Sequence, residues 1–433
     1  MRSSERPHLI CADCGRRLRL ASPDVACACG GLLEVVPAPR LDGAALRRRF
    51  DARLGRDPRV QGSGVWRFRE LVRPLPGDPV THPEGNTALY RREAVARFAG
   101  LPDLALKHEG ENPTGSFKDR GMTVAVTHAL HAGATAVACA STGNTSASMA
   151  AYAAQAGLPA LVFVPAGKVA AGKLAQALAY GARTLLVRGD FDACLRLARE
   201  ASAALHITLL NSVNPWRLEG QKTIVLELLQ QLGWEPPDWI AVPAGNLGNT
   251  SAFGKALREA HALGLIRRLP RLLSVQAAGA NPFYRSFRGG FRRRFEVQAE
   301  TVATAIRIGA PASFERGARA IRETRGVVTQ VSDAEILAAK AVVDGAGIGC
   351  EPASAASVAG VRKLVRAGVI GARQSVVCVL TGHVLKDAQT VMDYHLGRRR
   401  GANAPVEIEA RVADVERLLG GPGRRRVTVA PQH

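Results

Sequence analysis

Short runs that are apolar at almost every position recur along this chain, each followed by a turn and a helix-length stretch. Thr135–Ala140, Ala160–Pro165, Thr184–Val187 and Ile207–Leu210 form one set; Trp239–Pro243, Leu272–Gln276 and Val376–Leu380 form another. Strands apolar throughout must be covered on both faces, and alternation with helices makes them parallel. The intervening helices read as Ser146–Ala156 closed by Gly157, Ala171–Tyr180, Asp192–Ala204, Glu219–Leu232 and one ending near Leu263. Another, boxed by Ser332 and Glu335, runs to Val343, and Ala353–Ala367 follows. The pattern predicts an α/β protein with two open sheets. Four strands make a small Rossmann-like domain over residues 131–212, and residues 41–130 with 213–400 make a larger one. Residues 37–85, rich in Pro, Arg and Gly with one helix near Leu41–Phe50, read as a linker, and 401–433 as a basic tail with one short helix.

The first forty residues hold Cys11-x-x-Cys14 and Cys27-x-Cys29, half of the eight cysteines. Two close pairs on glycine turns match a four-cysteine zinc ribbon of structural type; two disulfides or free thiols are the alternative. Cys139, Cys194, Cys350 and Cys378 lie singly in apolar runs and read as core. The stretch Met1–His8 has no apolar signal core, and no run of eighteen apolar residues occurs, so a cytoplasmic protein without a membrane span is expected. A net charge of +21 raises the question of nucleic acid, but the arginines are scattered and aromatic residues are only 5%, which argues against a base-stacking surface. An electropositive field that draws in small anions is the more modest reading.

The run Asn112-Pro113-Thr114-Gly115-Ser116-Phe117-Lys118-Asp119-Arg120-Gly121 leads a turn into a helix that Gly133 ends. Ser116 is placed to cap that helix and Asp119 to complete a capping box. Lys118 then lies in the first turn, where the positive end of the macrodipole and nearby Arg120 disfavour an ammonium. A lysine amine that is neutral near neutral pH can form a Schiff base. Three tight turns stand at the carboxyl ends of strands: Ser141-Thr142-Gly143-Asn144-Thr145, Gly245-Asn246-Leu247-Gly248-Asn249 and Thr381-Gly382-His383. That edge of an open α/β sheet is where ligands bind, and the Gly245–Asn249 turn can aim several N–H groups at one anion. It is neither a Walker loop nor a dinucleotide fingerprint.

In this order the motifs resemble the pyridoxal-phosphate enzymes of the tryptophan-synthase-β type (fold type II), and among these the threonine synthases. Asn211-Ser212-Val213-Asn214-Pro215-Trp216-Arg217, Thr304-Ala305-Ile306-Arg307-Ile308-Gly309 and the cysteine ribbon extend the resemblance from Cys11 to about Leu396. It implies two open α/β domains with pyridoxal 5'-phosphate in the cleft. Lys118 would hold the cofactor as a Schiff base and move protons, and Asn144 would bond the pyridine hydroxyl. Gly245, Asn246, Leu247, Gly248 and Asn249 would hold the cofactor phosphate, and Thr381 would meet the pyridine nitrogen. Ser141, Thr142 and Thr145 would bind the substrate carboxylate; Asn211, Ser212 and Arg217 would hold the substrate phosphate. The implied reaction turns O-phospho-L-homoserine and water into L-threonine and phosphate, in a homodimer. Cys11, Cys14, Cys27 and Cys29 would hold zinc. A related enzyme acting on another phosphorylated amino acid, such as a cysteate synthase, or a non-catalytic binding protein of the same fold, are the alternatives. The chain departs from the pattern at Val384, where glycine usually follows Thr-Gly-His, at Ala310, where asparagine is common, and in the basic insertion 288–296.

Overall fold

A computed structural model of the chain describes residues 7–36, 42–55, 62–167, 171–397 and 402–419. Parts of the expected ribbon, linker and tail, and the arginine clusters at 398–400 and 424–426, lie outside the described residues. One unit runs to Asp387 and a second begins at Ala388. The second holds the helices Ala388–Leu396 and Val412–Leu419.

Two parallel sheets and a small antiparallel one make up the first unit. The larger sheet orders Val327–Val331, Arg271–Ala277, Trp239–Pro243, Val376–Leu380 and Leu104–His108, all parallel, with Leu89–Tyr90 antiparallel at one edge. The smaller orders Arg183–Val187, Ala160–Pro165, Ala136–Ala140 and Ile207–Leu209, all parallel. The strands read from apolar runs fall within a residue or two of expectation, most of them because burial on both faces demands unbroken apolar sequence; the edge strand Arg183–Val187 is largely exposed. Trp239–Pro243, Leu104–His108 and Val376–Leu380 are buried at every position.

Other elements differ. Leu104–His108 and Val327–Val331 were not expected as strands, nor Glu93–Ala99, Pro282–Arg288 and Phe314–Glu323 as helices. Leu104–His108 carries Lys107 and His108, polar residues that blunt an apolar signal. The helix expected over Glu219–Leu232 is two, Pro215–Gln221 and Thr223–Gln231, the first started by Asn214 capping Trp216 N–H at 3.0 Å with proline behind it. The Ser332–Glu335 capping box is formed, with both reciprocal bonds. The box expected from Ser116 and Asp119 is not. Phe117 occupies the cap position, Ser116 Oγ is buried without a partner, and the Asp119 carboxylate turns back to Thr114 N–H (2.7 Å), Thr114 Oγ1 (2.6 Å) and Ser148 Oγ (2.5 Å). Asp119 therefore clamps the turn before the helix rather than its first N–H groups. In the basic segment 288–296, expected as an insertion, the Phe291 ring centroid lies 5.0 Å from that of Phe283.

The helix Lys118–His131 is held by a buried ionic network. Arg120 Nε and Nη2 grip Glu109 at 2.7 and 2.8 Å, and Nη2 reaches Glu227 at 2.8 Å. Glu227 also takes Lys107 at 2.6 Å and Arg67 at 3.1 Å. Burial pushes the Glu227 carboxyl up, and Arg120, Lys107 and Arg67 more than reverse it, so the group is held well below the usual carboxylate range. Replacing it strands three cations against one remaining carboxylate. Glu227→Ala is expected to cost about 3–5 kcal/mol of stability, read from the urea midpoint; a loss under about 1 kcal/mol would show that the network does not hold the fold.

Candidate active site

Every parallel strand that borders the central cavity delivers a turn to it from its carboxyl end, as open α/β sheets dictate. Leu104–His108 leads to the Asn112–Lys118 turn, Ala136–Ala140 to Ser141–Thr145, and Ile207–Leu209 to Asn211–Ser212. Trp239–Pro243 leads to Gly245–Asn249, and Val376–Leu380 to Thr381–His383. The turns surround a cavity of about 1330 Å³. Every residue assigned from the motifs to cofactor or substrate lines it: Lys118, Ser141, Thr142, Asn144, Thr145, Asn211, Ser212, Arg217, Gly245 to Asn249 and Thr381.

The Lys118 amine makes no hydrogen bond or ion pair among the described residues and faces the Phe117 ring at 4.2 Å from its centroid. Burial lowers its pKa, Arg217 lowers it further and Glu351 opposes them, leaving it at about 7. The expected cause was the macrodipole with Arg120. Arg120 is instead neutralised by Glu109 and Glu227, and the cation acting on Lys118 is Arg217, supplied by another helix. Two glycines bring that helix close. A Cβ on Gly220 would lie 1.7 Å from Arg120 O, and one on Gly121 would lie 3.0 Å from Arg217 O. Only the absence of side chains at this crossing lets the two backbones approach so closely.

The polar groups around the cavity are left with free valence. Arg217 Nη1 donates to Leu210 O at 3.1 Å, while its Nε and Nη2 are buried without a partner, as are Asn249 Oδ1 and Gln221 Oε1. The helices Lys118–His131, Asn144–Ala156 and Gly248–Ala262 all begin at the cavity with no side-chain cap. The first N–H groups of the second and third are thus available to anions, while in the first Asp119 and Arg120 N–H are taken by Ser116 O and Phe117 O and only the dipole remains. At the Gly245–Asn249 turn, Leu247 adopts a left-handed φ of 62°, which a leucine holds only where surrounding contacts enforce it. Asn246 supplies them: its Oδ1 accepts from Ala312 N at 2.6 Å, and its Nδ2 donates to Ser212 Oγ at 2.5 Å. A Cβ on Gly245 would stand 2.9 Å from Ile306 Cα, so this wall of the cavity is shaped by a missing side chain. Asn211 uses its amide at both ends on Ala140, accepting from N at 3.0 Å and donating to O at 3.1 Å. It extends the strand edge and keeps one amide N–H uncommitted, beside the free donors of Arg217.

Among the cavity residues that the motifs did not assign, Glu351 stands closest to the assigned set. Glu351, 4% exposed, accepts from Asn144 Nδ2 at 3.0 Å and from Thr381 Oγ1 at 3.3 Å. Its only sequence signal is a carboxylate just ahead of Pro352 at a helix start, which reads equally well as an ordinary cap. Val384 packs against Gly349, where a Cβ would meet it at 3.2 Å, so the departure from glycine is accommodated by a second glycine.

Away from the cavity, the sulfurs of Cys11, Cys14, Cys27 and Cys29 lie within 4.8 Å of one another, with Cys11–Cys29 at 3.5 Å and Cys14–Cys27 at 3.7 Å and no disulfide. Four thiolates at Zn–S distances of about 2.3 Å would stand roughly 3.8 Å apart, so the cluster has the size of a tetrahedral zinc site. His8–Cys11, Arg17–Arg19 and Leu33–Val36 form its three-stranded sheet. The ribbon is tied to the body through Glu34–Arg319 and through Arg316, which bonds Leu33 O at 3.4 Å and Ser313 Oγ at 3.1 Å.

This fold and cavity are those of a pyridoxal-phosphate enzyme, and a family model described as pyridoxal-phosphate dependent enzyme matches residues 80–382. The chain is 46% identical over 420 residues, 96% of its length and 100% of the relative's, to the threonine synthase of Methanosarcina acetivorans. It is 48% identical over 342 residues, 78% of its length and 91% of the relative's, to that of Mycobacterium tuberculosis. The solved threonine synthase of Escherichia coli superposes with a TM-score of 0.68 at 18% identity, covering 94% of each chain. The chain belongs to the threonine synthase family of pyridoxal-phosphate enzymes. Buried unpaired donors, uncapped helix starts and an unpartnered amine in one cavity fit a cofactor carrying an aldehyde, a ring and a phosphate.

The sign of the Lys118 shift is testable. Below its pKa the amine is protonated and inert; above it the free amine attacks an aldehyde. Cofactor-free protein should therefore take up pyridoxal phosphate at a rate that rises with pH through a midpoint near 7, followed by visible absorption. A midpoint near that of an ordinary lysine would contradict the assigned environment.

Proposed function

We propose that this protein converts O-phospho-L-homoserine and water to L-threonine and phosphate, with Lys118 as its catalytic residue. The observation that carries the reading is the unpartnered, pKa-lowered amine facing one cavity with the Gly245–Asn249 turn and the half-free Arg217. Bound pyridoxal phosphate supplies an electron sink for negative charge developing at the substrate α and β carbons. The chain supplies the rest. Lys118 Nζ takes the proton from the substrate α carbon, returns it to the substrate–cofactor system, and as a free amine again takes one from the β carbon, a task suited to an amine poised near neutrality. Arg217 Nε and Nη2 grip the substrate phosphate and, with Ser212 and Asn211 beside them, hold it as it leaves the γ carbon. Ser141, Thr142 and Thr145, at an uncapped helix start, take the substrate carboxylate. Gly245 to Asn249 hold the cofactor phosphate, Asn144 the ring hydroxyl and Thr381 the ring nitrogen. The 131–212 domain closes on the body formed by 41–130 and 213–400, delaying entry of water until phosphate has left.

The same reading makes the protein a homodimer with a small phosphorylated amino acid as its partner, an extension that rests on the resemblance, and the apolar pattern of the chain makes it cytoplasmic. Among the described residues no helix is long and apolar enough to cross a membrane. The four-cysteine ribbon is proposed as a structural zinc site, closed because all four ligands come from the protein.

Purified protein supplied with O-phospho-L-homoserine should release phosphate and threonine in equal amounts. O-phosphoserine, supplied in parallel, should release none; the reverse result would move the reading to the cysteate-synthase type. Lys118→Ala should lose both turnover and near-visible absorption, and turnover retained in that variant would sink the assignment.

Metal analysis should find one zinc per chain. Removing it with a chelator under reducing conditions should lower the melting temperature, since binding energy at such a site is folding energy. An unaltered melting curve would show the ribbon to be held by its packing alone.

A further inference from the structure

Glu351 has no task in the reaction as derived, yet its surroundings are built around it. It precedes the helix Pro352–Arg366, and its N–H donates to Gly382 O at 3.0 Å. A Cβ on Gly382 would lie 2.5 Å from Glu351 Cδ, so the glycine of Thr-Gly-His leaves the room this carboxyl occupies. One carboxylate oxygen takes Asn144 Nδ2 and the other takes Thr381 Oγ1. Thr381 Oγ1 also lies 3.1 Å from Ser354 Oγ, the next turn of the Glu351 helix. Asn144 starts a helix above the four-stranded sheet and Thr381 follows a strand of the six-stranded sheet, so one carboxyl joins the contributions of both sheets.

The choice of an acid here has a physical reason. Both partners are donors, an amide NH₂ and a hydroxyl. A carboxylate accepts at both oxygens, so it fixes the amide orientation of Asn144 and the rotamer of Thr381 together. A buried acid is otherwise unfavourable. Burial raises its pKa, while the Asn144 bond, Lys118, the Thr381 bond and Lys386 oppose the rise without cancelling it. In return its charge favours the protonated form of Lys118, against burial and Arg217.

We propose that Glu351 is a positioning residue of the cofactor site, holding Asn144 and Thr381 in register through one shared carboxyl and setting the charge opposite Lys118. The proposal rests on the reading that Asn144 and Thr381 meet the cofactor ring, and its test separates the two.

The full chain is stripped of cofactor and titrated back with pyridoxal phosphate, with binding followed by visible absorption. Glu351→Ala should weaken cofactor binding about tenfold, the scale of one or two misplaced hydrogen bonds. Added to the Asn144→Ala/Thr381→Ala double variant, it should cost less than about threefold more, because nothing remains to position. Losses that multiply in full would make Glu351 merely structural and overturn the proposal. Glu351→Gln keeps the shape, and its amide oxygen still accepts from Asn144, so it should recover most of the affinity. It removes the negative charge facing Lys118, however, and the pH midpoint of cofactor uptake should fall by about half a unit or more. An unchanged midpoint overturns the proposal, and this measurement decides the matter even if Glu351→Ala does not fold. If Asn144→Ala and Thr381→Ala leave cofactor affinity untouched, the reading beneath fails and the proposal with it.

Discussion

The Arg120 guanidinium is the constraint on which the site depends. Two residues beyond Lys118, it is fixed from two sides by Glu109, which follows a strand of the larger sheet, and Glu227, on the Thr223–Gln231 helix. Burial alone would depress its pKa; the two carboxylates reverse this and raise it. The start of the Lys118 helix is thereby pinned to the sheet by charge-assisted bonds whose geometry tolerates little slack. The same neutralisation keeps Arg120 from acting on the lysine two residues away. Arg217 takes that part, brought near by the Gly121–Gly220 crossing.

The cavity is organised by what its walls omit. Helix starts are left uncapped where a side chain could have capped them, as Ser332 does elsewhere. A side chain is missing from the wall at Gly245, and from the packing around the site at Gly220 and Gly382, where any Cβ would collide. Arg217 and Asn249 keep buried atoms unpaired, and such atoms persist in a folded chain only where a ligand completes them or the surroundings compel the strain. The Arg217 atoms are donors and suit an anion, whereas Asn249 Oδ1 is an acceptor and suits a ligand donor.

The ribbon is linked to the cavity through a chain of hydrogen bonds. Arg316 touches Leu33 of the ribbon and Ser313, and Ser313 N–H donates to Asn246 O at 3.3 Å in the turn assigned to the cofactor phosphate. The cysteine cluster thus braces, at two removes, the backbone that carries Leu247 in its left-handed conformation.

Continuous apolar runs and glycine-bearing turns are local signals, so seven of the nine parallel strands, the carboxyl-edge turns and the cysteine cluster were legible in the chain alone. Ordered motifs likewise determined which residues meet in the cavity. Strand Leu104–His108 escaped because Lys107 and His108 look like surface until Glu227 is placed beside the lysine. The cause of the lowered Lys118 pKa, the clamp role of Asp119 and the existence of Glu351 as a site residue were decided only by tertiary structure. Each depends on a partner distant in sequence: Arg217 lies on another helix, Ser148 follows a different strand, and Asn144 and Thr381 come from separate sheets. Spacing along a chain reports local geometry; the electrostatics of a buried site are set by which distant groups the fold brings within a few ångströms of one another.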